Sequence, residues 1–429
     1  MVNRVFGFSF SLLSRQNQFV KNSITLSIGT SIAQAIPVLF SPILARLFNP
    51  EEFGLLATVS SITAIISVIS TGKYETVILI SRNKRDAAGL VMLSLLLSLL
   101  ISFLALIIFF FFNGVIIEIL KQPRLEHWIF ICPLVSFFIS IYSCYNEWCV
   151  KYSMFKQLSF NKIINTTSLT LSNLILGLSK VINGGLVIGE LLGRFTTALF
   201  SVLSVARTDI KSFKRISLSR IKHLAVRYRE CPIYILPAQL INTLAAQLII
   251  LLISSFFGDT EVGLYSMTAM VLSVPSTIIS QAIRDVFRQR ANEEYKEKGN
   301  ALYIYKKTTK FLFLASFLVF GILFIILPDF FAIVFGEKWR VAGEYARILC
   351  PTVMISFVAE SVSGMFIIAE KMFANLVWQI VYFVVTVISL LIGYLLFKDM
   401  KFVMIFYSVG RSLVYILNIS MSYRFAKGL

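Results

Sequence analysis

The chain alternates between long apolar stretches and short polar connections, and each of the apolar stretches is long enough to cross a lipid bilayer. A helix needs about 20 mostly apolar residues to span roughly 30 Å of hydrocarbon. Only helices and closed barrels satisfy every backbone polar group there, and these stretches are too long for barrel strands. The pattern therefore predicts helices near residues 24–46, 54–80, 88–112, 127–150, 160–179, 184–205, 232–257, 262–283, 311–335, 345–369, 373–397 and 402–423.

The composition agrees with this interpretation. Hydrophobic residues make up 57% of the 429 positions and charged residues only 14%, which differs strongly from the composition of a soluble domain. We therefore expect an all-α integral membrane protein with about 12 transmembrane helices.

Basic residues fall mainly in alternate connections, which sets the predicted orientation. Of the 40 Lys and Arg residues, 28 are counted to the two termini and the even-numbered connections and nine to the other connections, residues at the segment ends included; three lie deeper inside apolar segments. Short loops rich in Lys and Arg stay in the cytoplasm. Both termini are therefore predicted to be cytoplasmic, and the net charge of +18 does not require nucleic acid as a partner.

Eight of the basic residues lie in residues 207–229, where the chain would divide into halves. We predict an N-terminal six-helix bundle at residues 1–206, a basic cytoplasmic linker at 207–231 and a C-terminal six-helix bundle at 232–429. The charge of the linker is interpreted as a topology signal on a solvated segment, with binding to anionic lipid headgroups as the alternative.

A short internal sequence repeat indicates that the two predicted six-helix halves have similar structures. Residues 47–55 resemble residues 256–264, and both follow the first helix of a half. Since the shift of 209 residues spans six helices, an even number, the halves are predicted to share one orientation, as parallel repeats do. The matched residues are Phe48 with Phe257, Glu52 with Glu261, Gly54 with Gly263 and Leu55 with Leu264.

Several ionisable residues lie inside the apolar segments, where a charge is costly and usually faces a cavity or a partner. They either neutralise one another or hold a substrate that carries both kinds of charge. Glu190 and Arg194 are four residues apart on one helix, a spacing that favours a direct pair. Arg411 and Lys73 have no opposite charge on the same helical face and are the better candidates for binding a phosphate. The six candidates are Lys73, Glu75, Glu190, Arg194, Glu360 and Arg411.

Uncharged polar residues recur at helical spacing on the first, fifth and seventh segments, which include Gln34, Asn165 and Asn242 respectively. Such residues commonly form hydrogen bonds between helices in membranes. Because the stripes recur on several helices, including the first of each half, we interpret them as the wall of a hydrophilic cavity.

The sequence contains no motif for catalysis, for nucleotide binding or for a metal. GxSxG, HExxH and a Walker-type glycine loop are absent, and the five cysteines lack the spacing of metal ligands. No enzyme activity, cofactor, metal site or disulfide is expected.

Residues 29–54 and two further stretches together resemble a known family. The first stretch ends in Leu47-Phe48-Asn49-Pro50-Glu51-Glu52-Phe53-Gly54. The second is Phe335-Gly336-Glu337-Lys338-Trp339 with the helix that follows. The third covers residues 151–158 and 184–189. Together they resemble the bacterial polysaccharide flippases, the O-antigen and exopolysaccharide exporters of the multidrug/oligosaccharidyl-lipid/polysaccharide (MOP) superfamily.

This resemblance implies two six-helix bundles around a central cavity. It also implies that an undecaprenyl-diphosphate-linked oligosaccharide moves from the cytoplasmic to the periplasmic leaflet of the bacterial inner membrane by alternating access. Further implications are partnership with a polysaccharide polymerase and a chain-length regulator, and coupling to protons or sodium with Glu360 or Glu75 as carrier.

Two alternatives remain at this point. A multidrug extruder of the same superfamily needs acidic residues in its cavity without basic partners, because its cargo is cationic. A membrane-embedded polysaccharide polymerase or ligase usually carries a large external loop with catalytic basic residues, whereas the two longest connections here are predicted to be cytoplasmic.

Overall fold

The chain forms long helices joined by short connections. The computed structural model describes residues 2–181, 183–213 and 216–428, with the backbone alone described for residues 2–24, 208, 210–211, 274–282 and 285. No strand occurs in these ranges. The long helices are α1 (Val2–Leu47), α2 (Pro50–Ser70), α3 (Lys84–Leu120), α4 (Ile131–Lys151), α5 (Phe155–Leu178), α6 (Gly185–Thr208), α7 (Leu236–Phe257), α8 (Asp259–Lys298), α9 (Leu302–Phe335), α10 (Arg340–Val362), α11 (Met372–Phe397) and α12 (Met400–Ala426).

Each predicted apolar segment falls on one of these helices, which confirms an all-α membrane protein. Within the described part of the chain, nine helical stretches are long and apolar enough to span a membrane. The helices α4 and α5 are long enough but are more polar, and α8 includes residues 274–282, which lie outside the described side chains. The predicted end of the second helix at residue 80 is wrong, since α2 ends at Ser70 and a short 3-10 turn follows at Tyr74–Ile78.

The chain forms two compact units. Unit 1 comprises Met1–Phe48 and Leu55–Leu251, and unit 2 comprises Asn49–Gly54 and Leu252–Leu429. Within unit 1, α5 packs between α1 and α6, and α4 packs on α3 and α6. Within unit 2, α10 packs on α8, α9 and α12, and α11 packs on α12. The domain boundaries expected at residues 206 and 231 stay a prediction.

The repeated turn has the same relation to the helices in both halves. The helices α2 and α8 begin at Pro50 and Asp259, which are separated by the predicted shift. In unit 2 the repeated glycines approach each other's helices so closely that a Cβ on Gly54 would overlap the Asp259 carbonyl oxygen, and one on Gly263 would overlap the Pro50 carbonyl oxygen. Only glycine permits this approach of two backbones.

The two most specific stretches of the family resemblance contact each other in unit 2. The fully buried Trp339 ring packs edge-on against Phe53, with 5.1 Å between ring centroids. Beside it, the Lys338 Nζ donates to the Asn49 Oδ1 at 3.1 Å. The first turn and the turn before α10 therefore form one packed structure.

The basic linker packs on unit 1 through one side of its helix, while most of its described basic residues stay exposed, so the solvated linker stays a prediction. Its helix at Leu218–Arg227, termed the linker helix, packs on α3 with Leu224 buried against Gly89. Arg220 pairs with Asp86 at 2.7 Å. The Tyr74 hydroxyl donates to the Ala225 carbonyl at 3.0 Å, and burial raises the Tyr74 pKa, so the hydroxyl stays neutral. These contacts join the linker helix to unit 1.

Several residues of the sequence interpretation lie outside the described side chains. The N-terminal basic residues Arg4, Arg15 and Lys21, the serine Ser23 of the first polar stripe, and Asp285 fall in the ranges described by backbone alone.

Candidate functional site

Lys73 and Glu75 lie in the connection between α2 and α3, not inside a helix. Lys73 adopts a left-handed conformation with φ of 61°. It directly precedes the 3-10 turn at Tyr74–Ile78 that contains Glu75, and the Lys73 Nζ lies 3.5 Å from the Glu75 Oε1. The prediction that Lys73 has no opposite charge beside it is therefore wrong, because it assumed that the helix continued. The Glu75 Oε2 is buried and has no hydrogen-bond partner in the described structure.

Glu190 and Arg194 form the ion pair that their spacing indicates. The Arg194 Nε donates to the Glu190 Oε1 at 2.8 Å within α6. The Arg194 Nη1 also donates to the Asn165 Oδ1 on α5 at 3.1 Å. Three predicted site residues thus form one cluster in unit 1, and most of the charge in this cluster is already neutralised.

Lys162 is a polar residue of unit 1 that the sequence interpretation missed. It was not among the predicted site residues, and because α5 begins at Phe155, it lies about two turns inside the helix. Its half-buried Nζ donates to the Thr30 hydroxyl at 3.0 Å. Its position next to Asn161 and one turn before Asn165, in the polar stripe of this helix, was the signal that could have identified it.

Arg411 lies among tyrosines in unit 2. Its guanidinium donates to the hydroxyls of Tyr407 and Tyr415, the second at 3.0 Å. The rings of Tyr382 and Tyr407 each lie 5.2 Å from its central carbon, and that of Tyr415 lies at 5.6 Å. The Nε remains without a partner among the described residues. Tyrosines four residues before and after an arginine on one helix are a visible pattern that the sequence interpretation did not use.

Glu360 lies where two cavities of unit 2 meet. The first, of about 220 Å³, is lined by both Glu360 and Arg411. The second, of about 390 Å³, is lined by Glu360, Arg284 and Arg288. The Arg284 Nη2 lies 3.9 Å from the Glu360 Oε2, so Arg284, which was not among the predicted site residues, contributes to this site. The larger cavity is completed by Ala359, Ser363, Gly364, Phe366, Ile367, Asn375, Trp378, Gln379, Tyr415 and Asn418.

The remaining two predicted residues lie apart from these clusters. Gln34 on α1 and Asn242 on α7 are both exposed, and no hydrogen bond joins either to another described residue. The structure therefore brings together Glu360 with Arg411, and Glu190 with Arg194 and Asn165, but it does not join Gln34 or Asn242 to either cluster. The described side chains contain no group of acidic, histidine and cysteine residues that could hold a metal ion.

The larger cavity combines the groups that bind a phosphorylated sugar. Arginine presents several donors that match phosphate oxygens, and both Arg284 and Arg288 line this cavity beside a single carboxylate. An aromatic ring such as that of Trp378 offers an apolar face, while side-chain amides offer both donors and acceptors. The Asn418 Oδ1 is buried in this wall without a hydrogen-bond partner in the described structure.

The fold is similar to that of solved membrane transporters. An inward-facing multidrug resistance MATE family transporter of the MOP superfamily matches at a TM-score of 0.70 and 15% identity, covering 94% of this chain and 98% of that chain. Lipid II flippase MurJ, in an inward closed conformation, matches at 0.71 and 10% identity, covering 94% and 87%. A MOP superfamily transporter from Pyrococcus furiosus matches at 0.58 and 16% identity, covering 95% of each chain. The protein therefore has the fold of a multi-pass membrane transporter or flippase.

The family follows from the sequence itself. The model of the family described as polysaccharide biosynthesis protein matches residues 43–344. Because this match covers more than half of the chain, the chain belongs to that family, as the first turn and the turn before α10 predict. No curated protein matches the chain in sequence.

Proposed function

We propose that the protein moves an undecaprenyl-diphosphate-linked oligosaccharide, the repeat unit of an O-antigen, capsule or exopolysaccharide, from the cytoplasmic to the periplasmic leaflet of the bacterial inner membrane. Alternating access with both termini in the cytoplasm is part of the proposal. Membership of a polysaccharide biosynthesis family and a fold similar to that of a lipid flippase support it.

The observation that carries the proposal is the chemistry of the larger cavity in unit 2. Two arginines face one carboxylate there, with a tryptophan and three amide side chains around them. A diphosphate is anionic and a sugar is rich in hydroxyls, so both parts of the cargo find suitable partners. Because an unpaired polar group in hydrocarbon costs several kcal/mol, such a lining lowers the barrier for the headgroup while the polyprenyl chain stays in lipid.

A cation extruder is less well supported by the same residues. Its cavity would need carboxylates without basic partners. Glu75 lies beside Lys73, Glu190 beside Arg194, and Glu360 beside Arg284. An anionic cargo therefore fits these surroundings better than a cationic one.

The test is transbilayer movement of a labelled lipid-linked oligosaccharide in proteoliposomes. Arg284→Ala with Arg288→Ala should slow it by about 10–100-fold, because a hydrogen bond to a charged group is worth about 1.5–3 kcal/mol. Arg290→Ala is the matched control, since Arg290 is exposed on the same helix and does not line the cavity. Movement of organic cations but not of the glycolipid by the wild-type protein would contradict the proposal.

We further propose that Glu360, rather than Glu75, carries the coupling proton or sodium ion. Glu360 is about 45% exposed and lines both cavities, whereas Glu75 is about 9% exposed. Glu360→Gln should remove the dependence of transport on an imposed ion gradient while Glu75→Gln retains it. The reverse result would contradict this assignment.

A further inference from the structure

A groove in unit 2 lies outside the cavities described above. It runs between the beginning of α9 and the end of α12 and has a volume of about 890 Å³, within the range of small-molecule sites. Its floor is apolar. Phe313, Leu314 and Phe317 line it while remaining 51%, 70% and 61% exposed, so the groove is open along its length.

Basic residues from both helices surround one end of the groove. Lys306 and Lys310 are four residues apart on α9, and Arg424 lies in the last turn of α12. No carboxylate lies within 4.0 Å of any of these three cations among the described residues, whereas other cations of unit 2, such as Arg284 and Lys401, have such partners. The groove lining contains no acidic residue.

Direct contacts between the two helices shape this end of the groove. The Tyr305 hydroxyl donates to the Ile419 carbonyl at 2.7 Å, and the rings of Tyr305 and Tyr423 lie 5.9 Å apart. The Lys306 Nζ lies 5.9 Å from the centre of the Tyr423 ring. The basic end is therefore part of a packed helix pair.

Lysines at helix ends often extend to the membrane interface without binding anything. Here the three cations converge from two helices on the end of an apolar groove, and basic pockets between transmembrane helices are known to bind anionic lipid headgroups. We propose that this groove binds an anionic phospholipid of the bilayer, with its phosphate at Lys306, Lys310 and Arg424 and an acyl chain along Phe313, Leu314 and Phe317.

The lining favours a phospholipid over the glycolipid cargo. The neutral polar groups of the groove are the hydroxyls of Tyr305, Thr309, Ser420 and Tyr423. It has neither the amide side chains nor the tryptophan that line the larger cavity. A phosphodiester fits the basic end and an acyl chain fits the apolar floor, whereas an oligosaccharide would leave that floor unused. The site does not depend on the proposed function.

The experiment measures phospholipid retained by the purified protein. Protein in phosphatidylcholine nanodiscs, with or without phosphatidylglycerol, is released and its bound lipids are counted by native mass spectrometry. The wild-type protein should retain phosphatidylglycerol in preference to phosphatidylcholine. Lys306→Gln with Lys310→Gln and Arg424→Gln should weaken that preference by roughly fivefold for each residue changed.

A charge-matched control removes three exposed cations of unit 2 that lie outside the groove, by Arg290→Gln, Lys296→Gln and Lys371→Gln. This control should keep the wild-type preference. Leu314→Trp tests the groove separately, since it fills the apolar floor without changing charge, and it should lower retention of phosphatidylglycerol. Thermal unfolding of each variant shows whether it is folded.

Three outcomes would overturn the proposal. The first is an equal loss of preference in the groove variant and the control, which would indicate nonspecific attraction. The second is displacement of phosphatidylglycerol by inorganic phosphate alone, which would indicate an anion site without a lipid. The third is displacement by a polyprenyl diphosphate at lower concentration than by phosphatidylglycerol, which would make the groove a substrate site.

Discussion

The two units place the charged residues of the candidate site in different ways. In unit 1 these residues pair locally in sequence, Glu190 with Arg194 on one helix and Lys73 with Glu75 in one turn. Longer-range pairs of unit 1, such as Arg220 with Asp86, hold the linker helix instead. In unit 2, by contrast, Arg284, Glu360 and Arg411 come from α8, α10 and α12 and line cavities. Arginine and glutamate therefore form a local ion pair in unit 1 but line cavities in unit 2.

This difference bears on which unit is suited to bind cargo. A local pair satisfies most of its charge when its own helix or turn forms. Charges that converge from separate helices keep spare hydrogen-bonding capacity, as the Nε groups of Arg284 and Arg411 do, since neither has a partner in the described structure. If the proposed function holds, Arg284, Glu360 and Arg411 of unit 2 are better suited to act on the substrate than the locally paired residues Glu190 and Arg194 of unit 1.

The largest effect is expected for Arg411→Ala. Loss of the guanidinium removes a charged donor from the smaller cavity, so transport should fall by about 10–100-fold. Neutralising the local pair with Glu190→Gln and Arg194→Gln should leave transport within a few fold of wild type at matched protein levels. Equal losses in both proteins, measured as glycolipid movement in proteoliposomes, would remove the distinction between the units.

Gly54→Ala should affect the scaffold of unit 2 rather than its cavities. The added methyl group would overlap the Asp259 carbonyl, and such overpacking typically costs about 1–3 kcal/mol of unfolding free energy. Gly321→Ala is the control, because a Cβ there meets nothing within 4 Å. Unfolding in detergent should show a loss for the first variant only, and equal stability would show that the backbone contact is dispensable.

Lys73→Gly should be more stable than Lys73→Ala by about 1 kcal/mol. Both variants lose the ion pair with Glu75, but only glycine relieves the left-handed conformation at φ of 61°. Comparing the thermal unfolding of the two variants tests whether the left-handed conformation at position 73 costs stability. If both variants also lose transport completely, Lys73 acts on substrate and unit 1 is more than a scaffold.

The smallest effect is expected for the coupling between Glu190 and Arg194. A double-mutant cycle with Glu190→Gln and Arg194→Gln should give about 0.3–0.5 kcal/mol, the usual value for helix pairs at this spacing. The coupling free energy is obtained from the unfolding free energies of the wild type, the two single variants and the double variant. A coupling of zero would mean that Asn165, which also accepts from Arg194, holds the arginine alone.

The sequence predicts features that depend on short-range periodicity. The apolar segments and the Glu190–Arg194 pair follow from helical spacing. The end of α2 at Ser70 does not, because the chain leaves the helix without any proline, through Gly72 and Lys73, which are both left-handed; Gly72 was the available signal. The meeting of Arg284 with Glu360 joins residues far apart in the chain, and no single-sequence pattern shows which helices become neighbours.

The reciprocal contact of Gly54 and Gly263 has a consequence for the history of the chain. Each glycine leaves space for the backbone of the helix that carries the other, so the close approach of the two helices depends on both positions. A larger side chain at either position would overlap the backbone where α2 and α8 approach each other, so a substitution at one position affects the same contact as a substitution at the other. Among relatives, the two should therefore stay glycine together or change together.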